Sequence, residues 1–144
     1  MNLSFRKLRE GVELPAAAHP GDAGLDLRAA EPASVAPGAR TMIPTGLAVA
    51  IPDGHAGLVL PRSGLASKRG LTLANSPGLI DAGYRGEVIV AVVNLDREQA
   101  VVIEAGDRIA QLVVVAIPAV SPAFVEELPG SRRGEGGFGS SGTA

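Results

Sequence analysis

Short segments of valine, isoleucine and leucine recur along this chain, and nearly every one is closed by a glycine, proline or aspartate turn signal. Segments this brief cannot form the long amphipathic helices of a bundle. At near-even spacing they specify the antiparallel strands of a sandwich or barrel. Glycine (19) and proline (11), spread over 144 residues, leave little room for helix. Strands are predicted over Leu3 to Lys7, Arg40 to Pro44, Leu47 to Ile51, Gly57 to Leu60, Leu71 to Ala74, Glu87 to Asn94, Gln99 to Ile103 and Arg108 to Ile117. Pro52-Asp53-Gly54 and Ala105-Gly106-Asp107 are reverse-turn signals between them. The fold class is all-β, with one short helix over Gly64 to Arg69, capped by Ser63 and stopped at Gly70.

Leu112 to Ile117 is apolar at every position, so both faces of that strand are expected to be buried. Either the strand runs through the middle of a single core, or a neighbouring chain covers its second face. The length fits one domain with a real core. No apolar run reaches the ~20 residues of a membrane-spanning helix, so no membrane is expected. Charges occupy the first ten residues where a secretory signal needs an apolar stretch, and there is no cysteine. The expectation is a cytoplasmic protein. With 13 lysines and arginines against 15 aspartates and glutamates, there is no basic field to hold nucleic acid. An anionic ligand must be met by local cations.

Such cations stand near the end, where Arg132 to Gly142 sets one phenylalanine among five glycines, two serines and two arginines. Glycine loses the most backbone freedom on ordering and buries nothing, so residues 130–144 are expected to form a flexible C-terminal arm beside a domain over residues 1–129. Guanidiniums, bare amides, hydroxyls and one aromatic face suit a nucleotide lid. A leftover linker has the same composition.

Four internal segments carry polar groups that a β core does not need: Ala23-Gly24-Leu25-Asp26-Leu27, Pro61 to Ala66, Gly78 to Val88, and Gly106 to Leu112. Arg62, Ser63 and the Gly64 amide stand where a strand feeds the helix, and form either an anion site or an ordinary cap. Asp81 is a turn residue or a water-orienting carboxylate at a strand end. Tyr84, the only tyrosine, is a hairpin core ring or a sugar-packing plane. Asn75 alone reads as a turn residue and Gln111 as a strand-end polar group. Asp26 is either an indirect magnesium ligand or the partner of an arginine across a subunit contact. His19 and His55 have no partner at ligand spacing and read as surface residues.

In order and spacing, these four segments and the tail resemble the trimeric deoxyuridine triphosphate nucleotidohydrolases, the dUTPases, over nearly the whole chain. The resemblance implies a distorted antiparallel β-barrel or jelly-roll assembled as a homotrimer, with each site built from three chains. It also implies Mg²⁺-dependent hydrolysis of dUTP to dUMP and pyrophosphate by water attack on the α-phosphate. That reaction keeps uracil out of DNA and supplies dUMP for thymidylate synthesis. Asp81 would activate the water and meet the sugar 3′-hydroxyl, with Gln111 near water and phosphates. Tyr84 would exclude ribonucleotides, and Asn75 would read uracil together with main-chain groups near Leu79, Ile80 and Ile89. Arg62, Ser63 and Gly64 would hold the phosphate chain. Arg133, Ser140 and Ser141 would reach the terminal phosphate as Phe138 closes over the base, and Asp26 would hold a hydrated magnesium ion through water.

Departures from the family pattern are few. Ser140-Ser141-Gly142 replaces a common Ser-Thr-Gly, and Leu79 replaces a smaller threonine. The sister dCTP deaminases carry a catalytic glutamate ten residues after the equivalent aspartate, where this chain has Ala91. The absence of cysteine argues against zinc deaminases. A β-trimer that binds nucleotide without turnover is the remaining rival.

Overall fold

A computed structural model describes residues 1–136; Phe138, Ser140 and Ser141 therefore lie outside the described residues. Ten strands and one helix follow in the order β1 (Ser4–Lys7), β2 (Leu25–Arg28), β3 (Ala33–Val35), β4 (Arg40–Ala50), β5 (His55–Leu60), α1 (Ser63–Arg69), β6 (Leu71–Leu73), β7 (Gly78–Ile80), β8 (Glu87–Asn94), β9 (Val101–Ile103) and β10 (Arg108–Ala116). Two four-stranded sheets, ordered β1-β4-β8-β6 and β2-β10-β5-β7, are joined by a β3-β9 ribbon. All the pairings are antiparallel. The architecture is the expected all-β jelly-roll-like one. No helix of the described residues is long and apolar enough to cross a membrane.

Alternation along the strands builds the core. In β8, Val88, Val90, Val92 and Asn94 are buried while Ile89 faces outward, and in β10 Ile109, Ala110 and Leu112 join the same cluster. Leu27, Ile43, Val59, Ile103 and Leu112 bring both sheets and the ribbon into one apolar interior.

Arg40 to Ala50, read from sequence as two strands, is one strand with a bulge. Its register with β8 jumps between Pro44 and Ala48. Thr45, fully buried there, donates its hydroxyl to the Val88 carbonyl at 2.7 Å, and the Gly46 amide donates to Glu87 Oε1 at 2.7 Å. Side chains thus satisfy backbone groups that the ladder leaves unpaired. Gly46 has φ +69°, a conformation that glycine takes at little cost.

The helix needs one correction. Arg62, with extended backbone, is the N-cap; Ser63 is already helical, and no side chain caps the start. Gly70 ends it as expected, in a left-handed conformation with its amide donated to Leu65 O. Strands β2, β3 and β7 were not anticipated. At three or four residues they are too short for a periodicity of their own and exist through pairing with β10, β9 and β5.

In β10 this chain fully covers only Leu112 of the apolar run. Leu112 is buried, Val113 to Val115 are half-buried and Ile117 is exposed. Among the described residues regular structure ends at Ala116, and Val120, Phe124, Val125 and Leu128 stand exposed beyond it.

Asn94 fastens the ribbon to β8. Fully buried, it donates to Val35 O at 2.9 Å and Gln99 O at 2.8 Å, and accepts the Asp96 amide at 2.9 Å. Replacing it by alanine strands one buried carbonyl, one partly buried carbonyl and a partly buried amide. Asn94→Ala is expected to cost about 2–5 kcal/mol in denaturant unfolding. A loss under about 1 kcal/mol would show that these bonds are readily replaced by water.

Candidate active site

Two strand ends that lack partners create the first cleft. β7 is the outer strand of its sheet, and β8 pairs with β6 only from Val92 to Asn94, so Glu87 to Val90 have no ladder partner on that side. Between these lies a cleft of about 290 Å³, lined by Asn75, Leu79, Ile80, Asp81, Tyr84 and Ile89 among others. Leu79, Tyr84, Ile89 and Met42 are large apolar side chains left exposed around it. Unpaired main-chain groups between apolar walls suit a flat polar heterocycle.

The turn after β7 carries the carboxylate. Tyr84 N donates to Asp81 O at 3.0 Å, and Arg85 Nη1 donates to Ala82 O and Tyr84 O at 2.6 and 2.7 Å. The Asp81 carboxylate is exposed and forms no ion pair among the described residues. It is free to act on a ligand.

The second cleft, of about 350 Å³, is lined by Gly24, Asp26, Arg62, Ser63, Gly64 and Gln111 among others. Arg62 is held from two sides: its Nε lies 3.5 Å from Asp26 Oδ1, and its Nη1 donates to Arg108 O at 2.9 Å. Arg108 Nη1 in turn reaches Asp26 Oδ2 at 3.1 Å. Gln111 Nε2 donates to Pro61 O at 3.0 Å. Gly24 backs this amide so closely that a Cβ there would overlap Gln111 Oε1 and stand 3.1 Å from its Cδ.

Within one chain the predicted residues thus fall into two groups with no shared lining residue. Asn75, Leu79, Ile80, Asp81, Tyr84 and Ile89 come together, and Arg62, Ser63, Gly64, Gln111 and Asp26 come together elsewhere. Arg133 meets neither group and donates its Nε to Gly136 O at 2.6 Å. Register sets the separation. Ile80 pairs with Gly57, so Asp81 lies beside Ala56, whereas Gln111 pairs with Leu60. Four residues along a strand are about 13 Å, beyond the reach of one bridging water, and Arg62 lies further on.

Asp26 pairs with arginines, but within its own chain. Both oxygens face guanidiniums of its own chain, and no group of three His, Cys, Asp or Glu among the described residues could hold a metal ion. The side chains present do not fit a protein-ligated magnesium. Sequence reasoning also passed over Gly24, Arg108 and Glu87. All three lie inside the polar segments, but nothing local signals that Gly24 is a spacer, Arg108 an ion-pair partner and Glu87 the acceptor of the Gly46 amide.

The dUTPase family's sequence model matches residues 10–142. This chain belongs to the dUTPase family. It is 54% identical over 142 residues to the deoxyuridine 5′-triphosphate nucleotidohydrolase of Streptomyces avermitilis, covering 99% of this chain and 81% of that one. It is 53% identical over 140 residues to the enzyme of that name from Tropheryma whipplei, covering 97% and 96%. The Staphylococcus bacteriophage 80alpha dUTPase, solved with dUpNHpp, superposes with a TM-score of 0.87 at 33% identity over 99% of each chain. A mutant dUTPase from phage phi11 of S. aureus, whose structure describes a structural Mg(II) ion, gives 0.81 at 32% identity over 88% of this chain and 98% of that one.

Among dUTPase segments, the first is therefore the place to test close packing. Gly24→Ala should expel the Gln111 amide from Pro61 O in a crystal structure and lower unfolding free energy by about 1–3 kcal/mol. An unmoved Gln111 would show that the backbone at Gly24 yields instead.

Proposed function

We propose that this chain hydrolyses dUTP to dUMP and pyrophosphate by water attack on the α-phosphorus, in sites assembled from several copies of itself. The observation that carries the shared site is the split between the two clefts. A water-steering carboxylate and the phosphate cations cannot serve one nucleotide from a single chain, whereas a second copy supplies the missing half. The half-covered row of β10 and the bare apolar side chains from Val120 to Leu128 fit the same assembly, a homotrimer.

In this reading uracil lies between the β7 edge and the open part of β8. There the main-chain groups of Leu79, Ile80 and Ile89 and the Asn75 amide meet its polar edge. A donor facing O4 disfavours cytosine, and close packing at C5 disfavours the thymine methyl. Tyr84 packs beneath deoxyribose and leaves no volume for a 2′-hydroxyl. Asp81 accepts a hydrogen bond from water and aligns it with the α-phosphorus, drawing off its proton as the bond forms.

Arg62 from a neighbouring copy, with Ser63 and the Gly64 amide, meets the phosphate chain and offsets charge on the departing pyrophosphate. Its Nε and Nη1 are already engaged, so the guanidinium is oriented before substrate arrives. Gln111 completes the surroundings of water and phosphates. The arm over residues 130–144 closes the site, with Arg133, Ser140 and Ser141 on the terminal phosphate and Phe138 over the base. Magnesium carried in with the substrate, and not held by a protein ligand set, would add to the charge neutralisation that Arg62 provides. Ala91 lines the Asp81 cleft with only a methyl group, so the glutamate that the deaminase reaction would need is missing there.

Purified protein given dUTP, dCTP and Mg²⁺ is expected to yield dUMP and pyrophosphate from dUTP alone. Ammonia from dCTP, or an unchanged pool, would refute the assignment. Asp81→Asn should lower turnover by about 10²–10⁴-fold while dUTP affinity stays within about tenfold, because the group acts mainly in the transition state. Weakened binding with unaltered turnover would remove Asp81 from that role. Truncation after Pro129 should cripple hydrolysis and leave the sedimentation coefficient that of the trimer; a monomeric truncate would make the arm an assembly element.

A further inference from the structure

Gly86 has no backbone reason to be glycine. It is not among the positive-φ glycines, so an alanine would suit its backbone. Space is what excludes a side chain. A Cβ on Gly86 would overlap the Tyr84 hydroxyl and stand 2.7 Å from Cζ and 3.0 Å from Cε2. These atoms belong to one rigid ring and cannot give way separately; the whole phenol would have to turn about its side-chain torsions. The ring is tied down on the far side, where its hydroxyl passes over Gly86 and donates to Glu87 O at 2.9 Å. Glu87 is itself fixed, because its carboxylate accepts the Gly46 amide at 2.7 Å from the bulge of β4.

We propose that Gly86 is a positioning residue for sugar selection: by having no side chain it lets the Tyr84 phenol fold back onto Glu87 and sets the ring plane that rejects a 2′-hydroxyl. The proposal rests on the dUTPase reading of the cleft. It adds that discrimination depends on an empty volume two residues from the aromatic ring, not on the ring alone.

Tyr84 is the only tyrosine in a chain without tryptophan, so its fluorescence reports this ring without interference. In Gly86→Ala, acrylamide quenching should become steeper as the phenol leaves Glu87, while far-UV circular dichroism stays that of the parent. The kcat/KM ratio for dUTP over UTP should fall on the order of tenfold or more. Adding Gly86→Ala to Tyr84→Ala, where no ring remains to collide, should change that ratio by less than about twofold. Unchanged quenching, an unchanged ratio, or an equal fall in both backgrounds would each overturn the proposal. If the parent protein fails to hydrolyse dUTP, the functional reading falls instead, and the quenching arm still decides whether Gly86 holds Tyr84.

Discussion

Strand β5 is the axis on which the site geometry depends. Hydrogen-bonded to β10 on one side and β7 on the other, it fixes how far along its length each functional group stands. A one-residue slip would turn Leu58, half-buried, into the interior and Val59 out of it. The buried face therefore locks the register, and the register keeps Asp81 away from Gln111 and Arg62. Separation of acid and cation within a chain follows from burial of valines and leucines. In the proposed assembly it becomes the reason that no copy works alone.

Around this axis, polar groups are oriented by contacts made before any ligand arrives. Arg62 is held by Asp26 and a carbonyl, Gln111 by Pro61 O and the bare surface of Gly24, and Tyr84 by Glu87 O and the bare surface of Gly86. Glycine acts here through volume, whereas at Gly46 and Gly70 it acts through backbone conformation. Ion pairs as exposed as Arg9 with Glu31 contribute little to stability, while the Asp26 pairs are better sheltered and orient a cation.

What could be read from sequence follows the range of the forces involved. Glu87 to Asn94 and Arg108 to Ala116 alternate or run apolar over enough residues to declare themselves, and Gly70 announces the helix end. β7 and β2 could not be read, because three or four residues become strand only beside β5 and β10, and they carry Leu79, Ile80 and Asp26. Thr45 and Gly46 looked like a break, since the Val88 carbonyl and Glu87 carboxylate that mend it lie some forty residues away. The site residues were legible as segments that a core does not require. Their division into two clefts was not, because it is a property of strand pairing. Asp26 shows the limit: a carboxylate in sequence does not reveal the two arginines that will occupy it.

Whether one nucleotide is served by different copies is most directly decided by co-expressing Asp81→Asn with Arg62→Ala, each inactive alone. If every site draws these two residues from different chains, random mixing leaves about a quarter of sites intact, and the co-assembled protein should recover about that share of parental dUTP turnover. Activity no higher than that of the separate variants, in particles shown to contain both, would mean that Asp81 and Arg62 must come from the same chain.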